Sequence, residues 1–191
     1  MSNKIMLDGV ALCRPFAQGD LSNLCGLYAA VNAVCLVSAP IRPVRRPEAQ
    51  QLLQAGLTYL ERRNGLLDAF LEGMAIQRQR AVTQHVAKAA SKALELSFFA
   101  KPLLSAKSTV TMEDVLKLIA KRIKAGSAII VCLENTVWHY TVIVGMSDSR
   151  MYLFDSDGMR WIERRSLSLC LTRSTSRHCV SRASIIEVGM A

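Results

Sequence analysis

A run of 21 residues from Leu21 to Ile41 carries no charge, and it narrows the fold more than any other stretch. Within it, Tyr28, Ala29, Ala30, Val31, Val34, Cys35 and Leu36 cover nearly every face of a helix. A helix that is apolar all round belongs either in the middle of a folded domain or in a membrane. The basic RPVRR that follows suits a membrane span with a positive flank. Against that, Asn23, Gly26, Asn32, Ser38 and Pro40 interrupt the run, which is only moderately apolar. The central helix of a globular domain is therefore expected, and no membrane span.

The rest of the chain agrees with a globular domain. At 191 residues, with 51% apolar and 20% charged residues, it suits a single domain over 1–191 with a sizeable core. The opening MSNKIMLDGVALCRPF has too short an apolar run for a secretory signal and no small-residue cleavage site. Six cysteines at irregular spacing, without CxxC or Cys/His metal motifs, point to reduced thiols and away from zinc. The expected setting is cytoplasmic, or exported without a classical signal peptide, and no cofactor is expected. The net charge of +9 would favour acidic partners. Its basic residues are scattered through RPVRR, ERR, QRQR, KRIK and SRH with little aromatic interleaving, so no nucleic-acid motif emerges. A solvated basic surface is the better reading, with a polypeptide, acidic by preference, as the partner class.

Cys25 is the residue in the uncharged run that carries chemistry. Ser22 and Asn23 are good N-caps, and a helix starting near Leu24 places Cys25 in its first turn, where free N–H groups and the macrodipole favour an anion. Cysteine attacks as the thiolate. Gln18, seven positions upstream, can offer a side-chain N–H to an oxyanion beside the Cys25 backbone N–H. The plainer alternative is a core filler, since free cysteine is among the most buried residue types.

Elsewhere the order of elements reads helices first, strands second. Residues 1–17 are irregular or weakly extended. APIRPVRRP is a connector whose Pro47 opens a helix to Arg63, and Asn64-Gly65 ends it. Leu66 to Leu96 gives one or two more helices, with Leu66, Leu67, Phe70, Leu71 and Met74 as the apolar stripe and His85 as a surface residue. Phe98 to Ser108 reads as a short strand and a loop. Thr111 to Asp114 caps a helix that Gly126 terminates. Ala128–Leu133, Trp138–Val144 and Met151–Phe154 are strands rich in β-branched and aromatic residues, separated by ENT and GMSDSR turns. Trp161-Ile162 adds a further strand, Ser166 to Leu171 a turn or short helix, and Ala183 to Val188 the last strand. The class is α+β.

His139 opens one strand and Asp155 ends the next, 16 residues later, so a hairpin turning through Ser147 to Arg150 can bring them together. Cys25 and His139 then make nucleophile and base, and Asp155 orients the imidazole. Asp157 is an alternative third member, because a two-residue shift keeps the same face. Taken singly, His139 could be a satisfied strand residue, and Asp155 in DSDG could merely cap a turn.

Gln18-x6-Cys25-Gly26, His139 in WHYTVIVGM and Asp155 in LFDSDG together resemble the papain-like cysteine peptidases, most closely compact bacterial members related to bacteriocin-leader-processing peptidase domains. The resemblance implies a papain-like fold in which the nucleophile helix packs on a C-terminal antiparallel sheet. It also implies Gln18 as oxyanion-hole residue, Cys25 as nucleophile, His139 as base and Asp155 as orienter. The helical segment 42–96 lies outside these motifs and is expected to select substrate or partner. The expected activity is hydrolysis of a peptide or isopeptide bond. The same triad would serve an acyltransferase, a deamidase or a toxin-like effector, and an inactive binding module on this scaffold is the non-enzymatic alternative.

Overall fold

The computed structural model describes residues 4–19, 22–105, 109–135, 137–170 and 176–191. A two-residue strand, β1 (Ile5–Met6), and a 3-10 turn at Asp8–Ala11 lead into the uncharged run, which forms α1 (Cys25–Ser38). Every α1 residue except Tyr28 is buried. At 14 residues the helix is about 21 Å long, shorter than the ~30 Å hydrocarbon core of a bilayer. Among the described residues, no helix is long and apolar enough to cross a membrane.

Three further helices follow: α2 (Arg46–Glu61), α3 (Leu66–Leu71) and α4 (Ile76–Leu94). Pro47 sits in the first turn of α2, and the Glu48 carboxylate accepts the Arg45 N–H at 2.8 Å. Asn64, in the left-handed region at φ 51°, makes the break after α2. The expected apolar stripe of α3 is corrected by the structure. Leu67, Phe70 and Leu71 are exposed, while Ala69 and Met74 are buried. A helix of six residues cannot turn all of its apolar positions inward, and this one leaves an apolar lip on the surface.

After β2 (Phe98–Pro102), α5 (Met112–Lys124) begins at a capping box: Thr111 Oγ1 accepts the Asp114 N–H, and Asp114 Oδ2 accepts the Thr111 N–H. The remaining strands are β3 (Ala128–Asn135), β4 (His139–Met146), β5 (Arg150–Phe154), β6 (Trp161–Glu163), β7 (Leu167–Leu169), β8 (His178–Val180) and β9 (Ile186–Met190). They form a sheet in the order β2-β9-β3-β4-β5-β6, antiparallel at each step, with β1 added to β4 and β8 to β3. The architecture is α+β, N-terminal helices packed on a C-terminal antiparallel sheet.

Two local expectations change. Residues 164–166 form a 3-10 turn, and Leu167–Leu169 is a strand parallel to β8, where a turn or short helix was expected. The final strand starts at Ile186, after a 3-10 turn at Arg182–Ser184. Three-residue strands are too short to show a period in sequence. Asp20, Leu21, residues 106–108 of the expected loop, Thr136 of the expected ENT turn and Leu171 lie outside the described residues. One face of α1 packs on β3, β4 and β9, and α2 and α4 cover it from the other side. One hydrophobic core runs from Leu7 to Val188.

Candidate active site

The sheet brings His139 and Asp155 together first. His139 opens β4 opposite Leu133 of β3, and Phe154, the last residue of β5, pairs with Val142. Continuing that register would set Asp155 opposite Thr141, on the same face as His139, since alternate residues of a strand share a face. The chain turns at this point. Asp155 Oδ1 accepts the N–H groups of Asp157 (2.9 Å) and Met159 (3.1 Å), while Oδ2 accepts the His139 Nε2–H at 2.6 Å. Asp155 therefore both caps the turn and holds the imidazole. Asp157, exposed, contributes its backbone N–H to that turn, and the carboxylate on the histidine is that of Asp155.

Cys25 approaches the imidazole from α1. It is the first residue of that helix, so its N–H has no partner within the helix. The expected caps are not used: the N-cap is Leu24, with no side-chain hydrogen bond. Asn23 is engaged elsewhere, its N–H bonding the Phe70 carbonyl (3.0 Å) and its Nδ2 the Leu71 carbonyl (2.5 Å). These bonds satisfy carbonyls in the last turn of α3 and tie that helix to the start of α1. The Tyr140 N–H donates to Cys25 Sγ at 3.4 Å, which sets the sulfur beside His139, the preceding residue of β4. With Nε2 engaged by Asp155, Nδ1 is the ring nitrogen available to the sulfur.

The electrostatics follow from this geometry. Burial pulls the His139 pKa down, but the hydrogen bond to Asp155, the neighbouring Cys25 sulfur and the charges of both outweigh that and raise it from 6.5 to about 10. The ring is then an imidazolium at neutral pH. Burial would raise the Asp155 carboxyl. The hydrogen bond and charge of His139, the Thr141 hydroxyl and the Asp157 N–H hold it below its ordinary value instead. All six cysteines are free thiols. Burial pushes Cys35 and Cys132 up to about 12, Cys132 with help from Glu134 and Cys25.

The loop that carries Gln18 is fixed at two points. Asn32, fully buried in the middle of α1, grips the backbone of Phe16: Oδ1 accepts its N–H (2.8 Å) and Nδ2 donates to its carbonyl (3.1 Å). Two residues on, the Gln18 N–H donates to the Ser156 carbonyl at 3.1 Å, next to Asp155. The side-chain Oε1 of Gln18 is buried without a hydrogen-bond partner among the described residues. Behind Cys25, Gly26 lets α4 come close: Gln79 Nε2 donates to the Gly26 carbonyl at 2.8 Å, and a Cβ on Gly26 would stand 1.9 Å from Gln79 Oε1.

A cavity of about 200 Å³ opens beside Cys25, lined by Asn23, Leu71, Glu72, Gly73, Met74, Cys132, Trp138 and Tyr140. Residues from 71 to 74, inside the segment expected to select substrate, thus line the same cavity as Cys25. His85 lies apart, half-buried with its ring 4.7 Å from that of Tyr59 in α2. Sequence reasoning brought forward Gln18, Cys25, His139 and Asp155, took Asn23 for an N-cap and Asn32 only for a break in the apolar run, and passed over Gln79 and Glu72. Asn32 carried a usable signal, since an amide inside a buried helix must find partners. No known protein family and no curated protein matches this sequence.

Proposed function

We propose that this chain is a cysteine hydrolase of peptide or isopeptide bonds with a papain-like site. The observation that carries the reading is the buried His139–Asp155 hydrogen bond of 2.6 Å, with the N–H of the next residue along β4, Tyr140, donating to Sγ of Cys25 at 3.4 Å. An oriented imidazolium facing a thiol is the arrangement in which cysteine acts as a nucleophile.

In the reaction proposed, the Cys25 thiolate attacks the scissile carbonyl carbon. The oxyanion is met by the free Cys25 N–H and by the Gln18 side-chain amide, whose loop the Asn32 and Ser156 anchors hold in place. Collapse breaks the C–N bond, the His139 imidazolium gives its proton to the departing amine, and a thioester remains on Cys25. Water then attacks the thioester as His139 takes its proton. The acid is released and the thiolate–imidazolium pair returns. Asp155 holds the ring through Nε2 throughout, which keeps Nδ1 on the reacting side.

The test is the pH dependence of Cys25 alkylation by iodoacetamide, followed by peptide mass spectrometry, in the wild type and in His139→Ala, with Cys25→Ala as blank. Labelling at Cys25 should persist at pH 6 in the wild type and fall off at that pH in His139→Ala. If Cys25 stays unlabelled until the protein is unfolded, the hydrolase reading is wrong and an inactive binding module takes its place.

A further inference from the structure

The cavity beside Cys25 has a distinctive chemistry. Its floor is buried and neutral, built from Met74, Tyr140 and the Cys132 thiol, which burial pushes up to about 12. Two walls are apolar and open to solvent: Leu71 is 56% exposed and Trp138 77% exposed. Large apolar side chains this bare are seldom left at the mouth of a cavity without an occupant.

The charge is equally particular. Glu72 is the only charged side chain lining the cavity among the described residues. Seven other carboxylates are committed, Glu48, Asp68, Glu113, Glu163 and Glu187 to lysine or arginine, Asp155 to His139 and Asp114 to a helix cap, while Asp8, Glu61, Glu95, Asp148 and Asp157 resemble Glu72 in making no ion pair among the described residues. Glu72 makes no ion pair among the described residues. In a chain of net charge +9, the one charged residue in the described lining of the cavity beside Cys25 is an acid, exposed and without an ion pair among the described residues. The overall charge describes the surface as a whole, whereas the charge facing this cavity is negative.

We infer that the cavity takes a lysine or arginine side chain of a polypeptide substrate, within a residue or two of the scissile bond. The inference rests on the hydrolase reading above and names the substrate class for that site. The methylenes of such a side chain lie along Leu71 and Met74, and its cationic head meets the Trp138 indole and the Glu72 carboxylate. A leucine would fill the same apolar walls and leave Glu72 unmatched. An acidic side chain would be repelled by Glu72 and would strand its own charge over an apolar floor.

Tripeptidyl acyloxymethyl ketones, with each position carrying in turn Arg, Leu or Glu, test the proposal through the rate at which they label Cys25. Rates are read by intact-mass spectrometry and normalised to iodoacetamide labelling of the same variant. At one position Arg should outpace Leu by about three- to tenfold, the range of an exposed ion pair with an aromatic contact, and Glu should be slowest. Glu72→Gln should bring the Arg and Leu rates together, Glu72→Lys should make Glu the fastest, and 0.5 M NaCl should shrink the wild-type preference. Equal Arg and Leu rates at every position, or a preference for Arg that survives Glu72→Gln, overturn the inference while labelling by iodoacetamide leaves the hydrolase reading standing. If neither reagent class labels native Cys25, the hydrolase reading fails, and this inference fails with it.

Discussion

Replacing Asn32 by alanine tests how the Gln18 loop is held. The Asn32 side chain makes two hydrogen bonds, at 2.8 and 3.1 Å, to the backbone of Phe16, and is itself fully buried. Each such bond contributes about 1 kcal/mol net, and losing the amide also leaves a small void in a close-packed helix interface, so about 2–3 kcal/mol is expected. For a chain of this size each kcal/mol lowers Tm by about 2–4 °C. The variant should therefore melt roughly 5–10 °C lower, with the same decrease in stability in urea denaturation. Because the anchor sits two residues from Gln18, catalytic turnover should fall by more than unfolding explains at a temperature where the variant is fully folded. Cys25 alkylation, which needs no oxyanion hole, should stay close to wild type. Asn32→Asp keeps the acceptor for the Phe16 N–H but loses the donor and buries a charge, so it should be the less stable of the two. A change of under about 1 kcal/mol in Asn32→Ala, by either denaturation method, would refute the claim that this amide pins the loop.

Two further outcomes are expected. Gly26→Ala places a Cβ 1.9 Å from Gln79 Oε1 and 2.7 Å from Met74 Cε, an overpacking that should cost about 1–3 kcal/mol in urea denaturation. Adding Gln79→Ala should recover part of that loss, and a Gly26→Ala protein as stable as wild type would show that α4 does not press on α1 here. The pH dependence of stability follows from the His139–Asp155 pair. The His139 pKa is raised from 6.5 to about 10 on folding, so its contribution is complete below 6.5 and is lost as pH rises towards 10. Asp155 is depressed below its ordinary value of 3.8, so its contribution is present above that value and is lost as pH falls through the lower, folded-state pKa. Urea midpoints at pH 6, 8 and 10 should fall in the wild type and stay flatter in His139→Gln and Asp155→Asn; parallel slopes in all three proteins would contradict the assignment.

The helical half was legible where composition left few choices. A charge-free run broken by two asparagines, a glycine and a proline suits the middle of a domain better than a membrane, and α1 is buried on every residue but Tyr28. Thr111 and Asp114 gave the start of α5 by local chemistry alone, because a capping box is satisfied within four residues. Leu67, Phe70 and Leu71 were misread for the opposite reason. Apolar spacing reports which residues share a face and not whether another element covers it, and here Asn23 ties the end of α3 to the nucleophile helix while the apolar side chains stay open. The same limit hid Glu72: an acid after a helical stripe reads as solvated, and it is exposed, yet the fold also sets it in the lining of the cavity beside Cys25.

The pairing of His139 with Asp155 was legible as types and spacing, but its geometry depends on one residue that spacing does not show. Near the hairpin turn, Met146 pairs with Met151 and Gly145 with Tyr152; beyond a bulge between Ile143 and Gly145, Ile143 pairs with Leu153 and Val142 with Phe154. Had the first register run unbroken, Asp155 would stand opposite Val142, on the face away from His139, because a slip of one residue exchanges the two faces of a strand. The bulge inserts that residue into β4 and carries Asp155 to the Thr141 side, where its carboxylate meets Nε2. It lies where β1 crosses: Met6 pairs with Gly145, and a Cβ at Gly145 would come within 2.2 Å of Met6 Sδ and 2.5 Å of the Ile5 carbonyl. Glycine is thus required at the bulge by the close passage of β1, a strand of two residues near the start of the chain. The face on which the carboxylate meets the histidine is set at this bulge, inside the hairpin, and a count of the residues between His139 and Asp155 does not show it.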